Sequence, residues 1–325
     1  MNFLNLFKFL PFIIPIFLFP VSSFSKANFD EIVQQVSKEA EEKGISSKVI
    51  NEFKNKTKFI KRVIELDKSQ PEFKLTLDQY LTRVVTATRI KKANKKYKEN
   101  KNLLSQISKY YGVQPRFIVA LWGIETDFGR LTGGFSVISA LTTLVYDGRR
   151  YDYFKKELIN ALKIVNGGHI TINKMTGSWA GAMGQCQFMP SSFINFATDW
   201  DKDGCKNIWT SKPDVFASAA NYLKRVGWSN KITWGRKVFI KNYNGKKIDK
   251  KKYNLLHFWA SKGILKANKD KLPNVKVKGR LIIPDGYKNY GYLAYKNFDS
   301  LLNWNRSNYF AIAVGTLADS IKENN

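Results

Sequence analysis

Residues 112–129 read GVQPRFIVALWGIETDFG. Pro115 suits the first position of a helix, where its missing N–H is not needed, and Gly129 suits a C-terminal cap. Phe117, Leu121, Ile124 and Phe128 recur at helical spacing and define one apolar stripe. At about 100° per residue, Glu125 lies roughly 80° from the centre of that stripe, beside Ile118 and Trp122. A carboxyl at the edge of an apolar face is partly desolvated, which raises its pKa and keeps it protonated near neutrality. Cleavage of a glycosidic bond asks for such a general acid. The same pattern also fits an ordinary boundary Glu paired with a Lys or Arg. Asp127 cannot share Glu125's face, because i and i+2 point about 200° apart on a helix. Asp147, within YDGRR at 146–150, is the better rival carboxylate.

Further along, residues 178–193 read SWAGAMGQCQFMPSSF. Small residues let backbone approach a substrate closely. Ser178, Gln185 and Gln187 offer neutral hydrogen bonds suited to sugar hydroxyls and N-acetyl groups. Trp179 and Phe188 offer apolar sugar-facing surfaces. A tight glycine-rich packing loop is the alternative reading.

The whole chain has 325 residues, 44% of them hydrophobic, and a formal net charge of +28 from 54 Lys and Arg against 26 Asp and Glu. A sizeable core is therefore expected, and disorder is excluded. Two His and two Cys are too few for a His-rich metal cage, a Cys₄ zinc site or a disulfide-dense scaffold. The charge implies a polyanionic partner, although 43 of the basic residues are Lys, as AT-rich codon usage would also produce.

Residues 1–25 carry one charge, Lys8, then an apolar run from Phe9 to Val21 and the small-x-small triplet Ser23-Phe24-Ser25. This reads as a secretory signal peptide. A membrane anchor is the alternative, but the run is shorter than the roughly 20 residues a span needs, and three prolines interrupt it. The first cysteine is Cys186, so lipid attachment at a cleavage-site cysteine is not expected. Export turns the polyanion from nucleic acid towards wall and envelope polymers.

Helices are expected over 29–66 with a break at Gly44, over 76–111, and at 136–147, 151–166, 191–198, 213–226 and 306–321. A turn is expected at Asp67–Pro71. The basic run Arg89–Lys96 reads as a solvated helix face. Residues 230–300 alternate apolar and polar, with turn signals at Asn244-Gly245 and Pro284-Asp285-Gly286, and read as a small β element.

The segments at 112–129, 178–193, 199–228 (DWDKDGCKNIWTSKPDVFASAANYLKRVGW) and 304–319 (WNRSNYFAIAVGTLAD) together resemble the lytic murein transglycosylase B family. The resemblance covers most of 30–320. It implies a mainly α (α+β) fold, with a lysozyme-like catalytic core at about 100–230, a β-containing segment at about 230–300 and a closing C-terminal helix. The catalytic region would fill 26–325, without a separate peptidoglycan-binding domain.

The resemblance makes Glu125 the single acid/base that cleaves the MurNAc–GlcNAc β-1,4 bond of peptidoglycan and leaves a 1,6-anhydroMurNAc end. Ser178 and Gln187 would bind groups near the cleavage point. Asn221, Tyr222 and Asn305 would line the cleft. Arg149 and Arg150 would meet substrate carboxylates, a surface ion pair being the alternative. Trp304 stands where the family often has Tyr, and Cys186 where it often has Gly. The implied setting is the periplasm, and the protein is expected to act as a monomer on glycan strands, with no nucleic-acid partner. A hydrolytic muramidase on the same fold and a non-catalytic wall-binding protein are the competing functions.

Residues 199–204, DWDKDG, match the start of an EF-hand loop, where Asp199, Asp201 and Asp203 would converge on a hard cation and Gly204 makes the turn. Cys205 would add its backbone carbonyl, with Asn207 at position 9. Position 12 is Thr210 rather than Glu, and the resemblance suggests Asp214 as the substitute. One structural Ca²⁺ is expected, not needed for chemistry, and a metal-free Asp-rich turn is the alternative. Cys186 and Cys205 are expected as two free thiols rather than a disulfide.

Overall fold

In a computed structural model of the chain, the described residues are 28–69, 75–241, 251–284 and 289–323. The signal-peptide segment, the Asn244-Gly245 turn and most of the 284–286 turn lie outside them. Among the described residues are 14 α-helices, a 2-stranded and a 5-stranded antiparallel sheet. No helix among these residues is long and apolar enough to cross a membrane.

The first stretch breaks at Gly44 as expected, but into three helices: α1 (Phe29–Glu42), α2 (Ser47–Lys56) and α3 (Lys61–Lys68). Asp67, expected in a turn, is thus still helical. Residues 76–111 also divide, into α4 (Leu77–Val84), α5 (Ala87–Glu99) and α6 (Lys101–Tyr111). Thr86 restarts the chain by accepting from the Arg89 N–H. Tertiary packing sets the breaks: α4 lies on the C-terminal helix, while α5 and α6 lie on the central one.

That central helix is α7 (Pro115–Thr126), with Pro115 in its first turn. It packs against α5, α6, α11 (Lys212–Arg225) and α14 (Asn308–Asp319). Phe117 through Gly123 are therefore all buried, and the single stripe read from the sequence is only part of an almost fully enclosed surface. The helix ends three residues before Gly129. Asp127, Phe128 and Gly129 follow with φ of 48, 61 and 83°, a left-handed run. Phe128 folds back so that its ring meets Trp122 edge-on at 5.5 Å. A Cβ on Gly123 would sit 2.8 Å from that ring, so only glycine leaves room for the fold-back.

Next come α8 (Val137–Asp147), α9 (Tyr151–Asn166) and α10 (Pro190–Phe196), close to the expected bounds, with α9 packed against both α8 and α10. Strands β1 (Phe135–Ser136) and β2 (Thr176–Gly177) form the small sheet beside them. The later segment forms the larger sheet in the order β4 (Asn254–Leu255), β6 (Lys278–Ile282), β7 (Tyr290–Ala294), β3 (Gly235–Ile240), β5 (Ile264–Lys266). It has its own core of Val238, Ile240, Trp259, Ile264, Leu281 and Leu293. Two helices within this segment, α12 (Leu256–Ser261) and α13 (Lys296–Trp304), have no counterpart in the alternation pattern. Residues 275–277, part of the alternating stretch, precede β6 without forming a strand.

Candidate active site

Glu125 lies one residue from the end of α7, half-buried, in a pocket lined by Ile118, Leu121, Trp122, Cys186, Phe216 and Trp304. The neighbours Ile118 and Trp122 are those the helical spacing named. Burial pushes the carboxyl from its ordinary value up to about 7; the Trp304 indole N–H, donating to Oε1 at 2.7 Å, opposes this. Both a proton donor and, after donation, a proton acceptor are thus available near neutral pH.

Trp304 ends α13 and is wedged between aromatics. Its ring lies 4.8 Å from Tyr222 and 5.3 Å from Phe188. The Tyr222 hydroxyl donates to the Asn303 carbonyl at 2.7 Å, which ties α11 to the end of α13. Phe188, read as a sugar-facing surface, is instead buried in this wall; Trp179 is half-buried. The Asn221 amide donates to the Phe196 carbonyl at 2.8 Å, joining α11 to α10. Asn305 is exposed beside Trp304.

The 178–193 segment winds tightly. Ser178 Oγ accepts from the Ala182 N–H at 3.0 Å. Gln187 has φ of 50° and donates from its amide to the Thr132 and Gly184 carbonyls. Gln185 is not a sugar-facing group: its amide accepts from the Trp122 indole and donates to the Trp209 carbonyl, both at 2.8 Å. Gln185 thereby holds the loop against α7 beside Glu125. The packing reading holds for Gln185 and Phe188, because the loop's own backbone and α7 claim them first.

Asp127 is buried and bonded to Arg130 and Lys92, with Arg89 at 3.6 Å. Burial would raise its pKa, but the hydrogen bonds from Arg130 and Lys92 outweigh it and hold the carboxyl below its ordinary range. Arg89 and Lys92 therefore turn inward from the run expected to be solvated, whereas Lys91, Lys95 and Lys98 are exposed. Asp147 pairs with Lys68 at 3.6 Å. Arg149 and Arg150 both grip the buried Asp67, Arg149 through Nε at 2.7 Å and Arg150 through a terminal nitrogen at 2.8 Å. Both arginine side chains remain about half exposed.

One residue near the site has no signal in the sequence. Tyr80, on α4, packs its ring against Tyr309 at a tilt of 47°, with centroids 5.8 Å apart. Burial, and then the charge of Glu125, push its hydroxyl above the ordinary tyrosine value. A single Tyr in a polar helix gives no hint of a neighbour 45 residues away.

In the acidic loop, Asp199, Asp201 and Asp214 bring carboxylate oxygens within 4.8 Å of one another. Asp203 stands outside that cluster: it accepts from the Cys205 N–H at 2.8 Å, as in an Asx-turn. Asp199 accepts from the Asp203 and Gly204 N–H groups, and Asp214 from those of Trp200 and Asn207. Each carboxylate oxygen keeps a second lone pair. Burial first, and the Asp201 and Asp199 charges, raise Asp214's pKa against those backbone bonds. Three hard oxygen donors, one of them buried, suit a hard divalent cation. The two cysteines are free: Cys186 is buried and directed at the Val215 carbonyl, Cys205 at the Gly168 carbonyl.

A cavity of about 940 Å³ lies between α2, the end of α9 and the acidic loop, and does not include Glu125. Chemistry rather than size identifies the candidate site.

Residues 28–319 match the family described as the transglycosylase SLT domain. Membrane-bound lytic murein transglycosylase B of Escherichia coli strain K12 is 30% identical over 249 residues, 75% of this chain and 66% of that protein. The chain thus spans about two thirds of that relative's length. SltB3 from Pseudomonas aeruginosa, in complex with NAG-anhNAM-pentapeptide, is 33% identical with a TM-score of 0.85, covering 90% of this chain and 79% of that one. E. coli lytic transglycosylase Slt35 in complex with calcium is 26% identical with a TM-score of 0.76, covering 89% of this chain and 92% of that one. The chain belongs to the transglycosylase SLT domain family, and by family it is a lytic transglycosylase of peptidoglycan.

Proposed function

We propose that the chain cuts the MurNAc–GlcNAc β-1,4 bond with Glu125 as acid and then base. The carrying observation is the Glu125 carboxyl, poised near pH 7 by burial, in a pocket with no second carboxylate among the described residues that line it; nearby Asp127 is committed to three cations. The Glu125 proton passes to the glycosidic oxygen as the C1–O bond breaks. The N-acetyl carbonyl of MurNAc stabilises the positive charge at C1. Glu125, now a carboxylate, takes the proton of the C6 hydroxyl as that oxygen bonds to C1. The acid is regenerated and a 1,6-anhydro ring closes. A hydroxyl on the same sugar has an effective concentration that water cannot match.

Ser178 and Gln187 hold groups beside the cleavage point, Tyr222, Asn221 and Asn305 border the cleft, and Arg149 and Arg150 offer their free N–H groups to substrate carboxylates. The site of action is the periplasm, after removal of 1–25. The catalytic region spans 26–325 and works as a monomer. Asp199, Asp201 and Asp214 hold one structural Ca²⁺. The complex of Slt35 with calcium supports the Ca²⁺ reading, and the SltB3 complex with NAG-anhNAM-pentapeptide supports the substrate reading.

Mass spectrometry of purified sacculi digested by wild type and Glu125→Gln tests the reaction. The expected product is lighter by one water than a reducing end, and is absent with Glu125→Gln. A reducing MurNAc end would instead identify a muramidase, and binding without cleavage a non-catalytic wall protein.

A further inference from the structure

Half of the chain's net charge lies in the one segment of sequence that carries the larger sheet. Residues 231–295 contain 17 Lys or Arg and 3 Asp or Glu, a net +14 of the total +28, in a fifth of the length. A uniform lysine bias would spread evenly; this segment is enriched in cations and depleted in acids together.

Its sheet has two unlike faces. Val238, Ile240, Leu281 and Leu293 fill the inner core. On the other face, Phe239 of β3 is the cross-strand partner of Tyr290 of β7, with the rings edge-to-face at 5.5 Å. The Lys237 ammonium lies 5.3 Å from the Tyr290 ring and the Lys269 ammonium 5.3 Å from the Phe239 ring. Both lysines are exposed, and among the described residues neither is in an ion pair. Tyr290 is 38% exposed. Lys241, Lys262 and Lys271 are also exposed within the same segment.

Two adjoining aromatic rings flanked by unpaired cations suit a polymer that alternates apolar sugar faces with carboxylates. A lipid surface asks for protruding aliphatic anchors, and Val275 is the one large aliphatic side chain exposed among this segment's described residues. We propose that Phe239, Tyr290, Lys237 and Lys269 form a second docking surface for peptidoglycan, stacking on sugar rings and pairing with stem-peptide carboxylates. It shares no residue with the Glu125 pocket. The inference rests on peptidoglycan being the substrate, and its role is retention of the enzyme on the wall.

The test is co-sedimentation of the full chain carrying Glu125→Gln with purified sacculi over a NaCl series. Four forms are compared: the parent, Lys237→Gln/Lys269→Gln with and without Tyr290→Ala, and a control with two exposed lysines of α5 changed, Lys91→Gln/Lys98→Gln. The sheet variants are expected to lose about tenfold in affinity and most of the salt dependence, the control little. The lysine pair alone keeps the test valid if Tyr290→Ala unfolds. With Glu125 intact, turnover of short soluble glycan fragments should match wild type. Unchanged sacculus binding, an equal loss in the control, or a loss confined to anionic vesicles or duplex DNA overturns the proposal. Failure of wild type to release anhydro product would sink the catalytic reading instead, and is read separately from binding.

Discussion

The indole N–H of Trp304 donates to Glu125 Oε1 at 2.7 Å, joining residues 179 positions apart. The bond fixes one carboxyl oxygen and leaves the other to carry the proton. Trp304 is itself immobilised by Tyr222 and Phe188, so the donor arrives already oriented. Trp304→Phe keeps most of the bulk and removes the donor. Because that bond lowers Glu125's pKa, the alkaline limb of the pH–rate profile should move to higher pH. Loss of one hydrogen bond worth about 1–1.5 kcal/mol should slow turnover on the order of tenfold. Trp304→Tyr, with a hydroxyl donor, should recover part of both. Profiles of kcat against pH for the three proteins check this.

A raised carboxyl pKa costs stability. The unfolded chain releases the Glu125 proton near pH 4.5, while the folded chain keeps it to about pH 7. Folding is therefore penalised increasingly from about pH 4.5 to 7, by up to about 3 kcal/mol above that window and by nothing below it. Glu125→Gln should be inactive yet more stable than wild type at pH 8, and equal to it at pH 4. Urea unfolding at both pH values measures the difference. A variant less stable than wild type at pH 8 would contradict the burial.

Added Ca²⁺ should raise the Tm of the wild type, by about 2.7 kcal/mol of stabilisation at a hundred times Kd. Asp201→Asn and Asp214→Asn should abolish the response, whereas Asp203→Asn should keep most of it, because Asp203 lies outside the converging carboxylates. Thermal scans with calcium and with chelator read the result. Cleavage by calcium-saturated and calcium-free folded protein should differ little, since no step at Glu125 uses a metal.

Gly184 has φ of 61°, and a Cβ there would stand 2.7 Å from the Ile208 carbonyl oxygen. Gly184→Ala should destabilise by about 2–4 kcal/mol, from the left-handed backbone and the overlap together. Chemical denaturation at neutral pH provides the value. A neutral effect would mean that the loop carrying Gln185 and Gln187 relaxes freely.

Local signals carried part of the candidate site. Helical spacing put Glu125 beside Ile118 and Trp122, and the DxDxDG pattern put Asp199 and Asp201 together. The same local logic failed where a side chain's partner lies far along the chain. Gln185 looked free for substrate until Trp122 and the Trp209 carbonyl claimed it. Arg149 and Arg150 meet Asp67 across about 80 positions, a pairing with no local signature. Tyr80 was invisible for the same reason.

The sequence by itself determined the family, the single central Glu, the α-rich core with a late β element, and the +28 charge, because each is written in composition, spacing or motif. Only the tertiary structure decided how that charge is spent. It turns Arg89 and Lys92 inward onto Asp127 and leaves Lys237 and Lys269 outward over aromatic rings. It also brought Trp304 to Glu125. Burial and long-range hydrogen bonds set a carboxyl's acidity, and neither exists until distant segments have packed.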